Sequence, residues 1–183
     1  MKKILKATLT SFAVASLAVA ALLRAEDVVD VNKEFFPGNT KPIPVSLSGF
    51  SGEAASVIQF DLCVQGFSFT TPEAAQYLIT GSNAGHVEGR LTDRFNKSQL
   101  LAKAYTGGTL RAQAHALADD IVLAVTQKKG IGQTKIALKV DTGENSEIYI
   151  ADFDGHNPQA VTRDDTIVAA PAWVPGRMAL CYT

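Results

Sequence analysis

The sequence holds little that would suit redox or metal chemistry. Its 183 residues include two cysteines and three histidines. Cys63 and Cys181 stand 118 residues apart, so neither a Cys-x-x-Cys redox pair nor a zinc-binding spacing is encoded. They fall in different predicted units, one in an amphipathic helix and one at the last strand, which favours buried free thiols over a disulfide. His86, His115 and His156 are predicted in a loop, a helix and a turn, with no ligand spacing among them. His115, beside Ala114 and Leu117, reads as a packed or interface histidine rather than a base. No Gly-x-Ser-x-Gly elbow occurs, and "GFSG" and "GSNAG" do not supply one. Neither an enzyme nor a cofactor is predicted from these residues.

Basic clusters are scarce as well. Beyond the N-terminus only Lys128 and Lys129 adjoin, at a predicted helix end where cations complement the dipole. The first 25 residues carry Lys2, Lys3, Lys6 and Arg24 and no acid, so without them 13 cations face 18 anions, a net charge of −5. Such a balance argues against a nucleic-acid partner.

Long apolar runs are confined to the start. The uncharged stretch Phe12 to Leu23 follows a lysine-rich opening, and small residues such as Ala20 and Ala25 offer cleavage positions. The run from Ala7 to Leu23 is seventeen residues diluted by Thr8, Thr10, Ser11 and Ser16, short of the roughly twenty that span a bilayer. Residues 1–25 therefore read as a secretory signal peptide. The expectation is export, with no membrane insertion after cleavage.

What remains, 46% hydrophobic across the chain, is enough for a core. Ile43, Val45 and Leu47 alternate with polar or proline positions, the period of a half-buried strand, and Pro42 and Pro44 place it at a strand start or an edge. Ser51 is placed to cap a helix whose apolar face takes in Ala54, Val57, Ile58, Leu62 and Val64 and which Gly66 ends. "FSF" at 67–69 reads as a second strand, and "TPEAAQ" as one or two helical turns with Thr71 as cap. Extended runs follow at Tyr77–Thr80, Val87–Thr92 and Gln99–Tyr105. Thr109 then caps the clearest helix, with Leu110, Ala114, Leu117, Ala118, Ile121 and Val125 on one face. The order predicts an α/β domain, helices laid on a mixed sheet.

After "KKGIGQ" (128–133), which lacks the strand-to-helix context of a phosphate loop, strands and turns dominate. "KIAL" at 135–138 returns as "RMAL" at 177–180, an offset of 42 residues with strand-like "EIYIADF", "QAVT" and "APAW" between. Four short strands in such a period suit a propeller blade, and blades close into rings of at least about four. The expectation is therefore the front part of a longer protein, with a first blade and the start of a second. "DFDGHN" at 152–157 fails as a calcium loop, because the glycine and the closing carboxylate are misplaced, and reads as a turn shaped by Asp152, Asp154 and Gly155, with His156 and Asn157 in solvent. "DTG" at 141–143 has no second copy to share a proton with and reads as a hairpin loop.

The segment Ala114 to Leu138 carries a more specific pattern. Ala114, His115, Ala118, Asp119, Ile121, Thr126, Gly130, Ile131, Thr134, Ile136 and Ala137 match, in order, the junction of the TolB family, with Lys135 in place of arginine. "DLCVQG" (61–66), "EIYIADFDGHNPQAVT" and "PAW" are similar to further family motifs, whereas Gln65 and "WVPGRMAL" depart from them. The resemblance implies a signal peptide at 1–25, an N-terminal α/β domain at 26–132, and a first propeller blade with the start of a second at 133–183. It also implies a non-enzymatic periplasmic scaffold of the Tol-Pal system, which acts in outer-membrane integrity, cell division and protein import. Such a scaffold binds TolA through its N-terminal part and the lipoprotein Pal through the full propeller, so Pal binding is expected to be impaired in so short a chain. Glu26, Asp27, Val28, Val29, Asp30 and Val31 occupy the place of the TolA-binding segment, where the valines suit strand addition to a partner's sheet. Two other readings are an exported hydrolase with a propeller accessory, like relatives of prolyl oligopeptidase, and a non-functional product with exposed sheet edges.

Overall fold

The computed structural model describes residues 41–141 and 143–183, so the predicted signal peptide lies outside the described residues. Ile43, Val45 and Leu47 build β1 (Ile43–Ser48), which leads into α1 (Gly52–Val64) and β2 (Phe67–Phe69). Three longer strands follow, β3 (Tyr77–Ser82), β4 (Val87–Asp93) and β5 (Gln99–Tyr105), then α2 (Leu110–Thr126). The five strands form one mixed sheet in the order β2-β1-β3-β4-β5, parallel where β1 meets β2 and β3 and antiparallel elsewhere.

The prolines sit at a strand start but not at an edge, since β1 has neighbours on both sides. Pro44 is tolerated because pairing with β3 begins only at Val45 opposite Tyr77, so no ladder bond is owed by the missing N–H. Ser51 stands at the N-cap of α1 without a side-chain cap; its backbone is instead held by Asn83, whose Oδ1 accepts from Ser51 N at 3.0 Å. "TPEAAQ" closes a single turn, in which the Thr71 carbonyl accepts from Ala74 and Ala75 N. Thr109 does cap α2, accepting from Ala112 N at 3.1 Å. Lys128 and Lys129 lie beyond the last turn of that helix, which ends at Thr126.

Both helices contribute to one core with the sheet. Val57, Ile58, Leu62, Ile79, Val87, Leu91, Leu117 and Ile121 are buried there. At about 1.5–3 kcal/mol for each fully buried large aliphatic side chain, this cluster is the main stabilising term. Helix α2 lies close on β4, where a Cβ on Gly89 would stand 2.7 Å from Leu117 Cδ2. Polar closure is supplied by Gln113, which accepts from Val87 N at 2.8 Å and donates to Gly107 O at 3.1 Å.

Two expectations of burial fail. Cys63 and Cys181 are free but exposed. The buried stripe of α1 runs through Ala54, Val57, Ile58, Asp61 and Leu62, which leaves Cys63 and Val64 facing solvent, while Cys181 ends a two-residue strand too short to be covered. Leu110, at the first turn of α2, is likewise partly exposed.

Beyond α2 the strands are antiparallel. β6 (Lys135–Asp141) pairs along its whole length with β7 (Ser146–Asp152), and β8 (Gln159–Ala160) adds to the other side. A separate hairpin joins β9 (Ala172–Trp173) to β10 (Leu180–Cys181). The anticipated four strands of a blade therefore appear as three in one sheet, with "PAW" and "RMAL" paired in the hairpin. "DTG" does close a hairpin, Asp141 facing Ser146. Side chains reinforce a sparse backbone pairing along residues 161–168, in which Val161 N donates to Ile148 O at 2.7 Å and Ser146 N to Thr166 O at 3.0 Å: Ser146 Oγ donates to Val168 O at 2.7 Å and accepts from Val168 N at 2.9 Å, and Thr162 Oγ1 donates to Glu147 while accepting from Ile148 N. The architecture is an α/β layer followed by a partial, unclosed propeller.

Candidate functional site

Asp61 occupies a position in α1 where helical spacing calls for an apolar side chain, between Ile58 and Leu62, and it is fully buried. Burial of a carboxylate is costly unless it is paired. Its partner comes from α2: His115 Nδ1 lies 2.6 Å from Asp61 Oδ2. The other ring nitrogen points to the turn after β7, with Nε2 3.6 Å from Asp154 Oδ2. Burial works against protonation of this imidazole, but the hydrogen bond and charge of Asp61 and the charge of Asp154 outweigh it and the opposing Arg111, holding His115 above the ordinary histidine range.

Arg111, one turn earlier on α2, bridges the same elements. Its guanidinium binds Asp154 and, at 2.7 Å, Glu53 of α1. Phe60 and Phe153 flank the cluster with ring centroids 6.1 Å apart. Asp154 is thus more than a shaper of its turn. It does accept locally from His156 N at 3.1 Å, yet its second oxygen joins the turn to Arg111 and His115 of α2. The rest of "DFDGHN" behaves as a turn: Gly155 takes φ +82°, its N–H donates to Asp152 O, and His156 and Asn157 are exposed.

The "KKGIGQ" loop shows why its glycines are required. Asp119 Oδ1 accepts from Gly132 N at 2.7 Å and its Oδ2 from Gln133 N at 3.1 Å, so an internal carboxylate occupies the backbone donors that a phosphate would use. A Cβ on Gly130 would stand 2.6 Å from Asp119 Cα, and one on Gly132 would collide with the Asp61 carboxylate. Gln65, at the end of α1, accepts from Ile131 N at 3.0 Å. The side chain that departs from the family motif therefore still ties the helix to the loop.

A cleft of about 320 Å³ opens at this junction, lined by residues including Arg111, His115, Gln133, Lys135, Asp152 and Asn157. Several of its polar groups are engaged internally: Lys135 pairs with Asp152, Asn157 donates to Asp152 at 2.8 Å, and Gln133 Nε2 donates to Asp119 at 3.1 Å. Lys135 and Asn157 hold the Asp152 carboxyl below its usual range against the effect of its burial. Such an arrangement fastens two structural layers.

The segment Glu26, Asp27, Val28, Val29, Asp30 and Val31, expected from the sequence to bind a partner, lies outside the described residues. Composition and periodicity did not point to Arg111 or Asp154. For Asp61, His115, Asp119 and Gly130 the signal was present in their match to one family's motifs. Among the described residues no helix is long and apolar enough to cross a membrane.

No family model matches the chain. Individual curated proteins do. The Tol-Pal system protein TolB of Geobacter metallireducens is 32% identical over 153 residues, covering 67% of this chain and 35% of that protein. That of Desulfosudis oleivorans is 37% identical over 117 residues, 60% of this chain and 26% of the relative. The Nitrosomonas europaea protein is 27% identical over 186 aligned positions, 84% of this chain and 44% of the relative. The crystal structure of TolB from Acinetobacter baumannii has the same fold, with a TM-score of 0.68 at 20% identity, over 77% of this chain and 43% of its own. The chain thus spans less than half the length of these relatives. Over the part it shares with them, the chain is TolB-like in sequence and in fold.

Proposed function

We propose that the chain acts as a non-enzymatic scaffold of the Tol-Pal system in the periplasm, reached through a cleaved signal peptide at residues 1–25. In this reading residues 26–132 form the N-terminal α/β domain and 133–183 the first blade with the start of a second. Glu26–Val31 bind a TolA-like inner-membrane protein by adding a strand to its sheet, where main-chain bonds give affinity and the valines supply pockets with contacts. A Pal-like lipoprotein would be bound by the propeller. The observation that carries the proposal is the ordered TolB-like pattern around the junction, whose Asp61 and His115 pair between the two helices and whose Asp119 holds the loop that leads into the blade.

The test is a pull-down with the TolA-like protein, comparing the chain from Glu26 with one beginning at Lys41. Loss of capture with unchanged circular dichroism is expected for the shorter form. Equal capture by both would sink the assignment of the segment.

A further inference from the structure

We propose that Asp61, His115 and Asp154 form a proton-operated latch, which holds the turn after β7 against α1 and α2 when both ring nitrogens of His115 carry a proton and slackens when one is lost.

The geometry poses a problem that a neutral imidazole cannot solve. Nδ1 faces a buried carboxylate at 2.6 Å and Nε2 faces a second at 3.6 Å. A neutral ring has one N–H and one lone pair, so one carboxylate must face the lone pair, whereas the doubly protonated ring donates to Asp61 and turns a positive N–H toward Asp154 at ion-pair distance. The side chains of His115 and Asp154 are 6% and 7% exposed and Asp61 is fully buried, so water screens these charges little. Among the described residues, Asp61 Oδ1, His115 Nε2 and Arg111 Nε are the buried polar side-chain atoms without a hydrogen-bond partner, which places slack polar capacity at this cluster.

Every packed element contributes a charge. Helix α1 supplies Asp61 and Glu53; α2 supplies Arg111, which repels the protonated ring, and Asp119, which is committed to the 130–133 loop; β6 supplies Lys135, paired with Asp152; the turn supplies Asp152 and Asp154. Carboxylates outnumber cations around the ring, and the pKa of His115 is raised accordingly. A histidine whose folded pKa is raised contributes stability that is complete below its unfolded value, about 6.5, and lost as pH rises through the folded value. The latch is therefore closed in mildly acidic conditions and loosens with alkalinity. It does not depend on which partner the chain binds.

The experiment is an NMR titration of the 183-residue chain bearing His156→Gln, so that the turn's own histidine adds nothing. The His115 ring and the Gly155 amide should titrate together, with a midpoint above that of an ordinary histidine. Asp154→Asn keeps the shape and removes the charge, and should lower the His115 midpoint by roughly one pH unit and leave the Gly155 amide insensitive to it. A Gly155 amide indifferent to the His115 titration, or an unchanged midpoint in Asp154→Asn, would overturn the latch.

Discussion

At the scale of single residues, Asp61 is the least replaceable side chain described here. Its environment is that of a core leucine, and its cost is offset only by His115. Asp61→Ala leaves that histidine buried without its closest partner, and a loss of about 3 kcal/mol is expected in urea unfolding. His115→Gln alone should cost less, and the double variant less than the sum, which a double-mutant cycle measures; strict additivity would disprove the pairing. The sequence showed His115 on an apolar helix face, read as packed or at an interface, and the structure has it packed, 5% exposed. It did not show the partner, because 54 residues separate the two and helical periodicity has no term for contacts between helices.

Between elements, short polar side chains supplement sparse backbone pairing. The strap at 161–168 lies along β7 through Ser146, Glu147 and Thr162. The Thr162 hydroxyl, with the N–H groups of Asp165 and Asp164, holds the Glu147 carboxyl below its ordinary value of 4.5 in spite of some desolvation. A depressed carboxylate contributes stability that is present above its unfolded value and lost as pH falls through the folded one, opposite in sense to His115. Hydrogen exchange at Asp164 and Asp165 should therefore speed up, relative to the intrinsic rate, as pH falls through the lowered Glu147 value, and Thr162→Val should show fast exchange already at pH 7. Slow exchange in that variant would remove the strap. Here the sequence led to a four-stranded blade, because apolar alternation marks strand-like segments equally whether backbone or side chains hold them.

For the whole molecule, the decisive contacts join the α/β layer to the first blade. Asp119, Gly130 and Gly132 set how closely the connecting loop approaches α1 and α2. Gly132→Ala places a methyl group against the Asp61 carboxylate, so the loop must retreat and give up the Asp119 bonds. A loss of about 1–3 kcal/mol and rapid exchange at Gln133 are expected, whereas Gly155→Ala, whose added Cβ meets nothing, should cost only the strain of its positive φ. Equal loop protection in both variants would contradict the close approach. By itself, the sequence determined the order of elements, the turn character of "DTG" and "DFDGHN", the cap at Thr109 and the likeness to one family, since periodicity, turn chemistry and ordered motifs are local properties of a chain. Only the tertiary structure decided that β1 is flanked on both sides, that Cys63 faces solvent, and that Asp61, Arg111, His115 and Asp154 meet. Those outcomes depend on which helix face turns toward which neighbour, and packing across long sequence separations sets that.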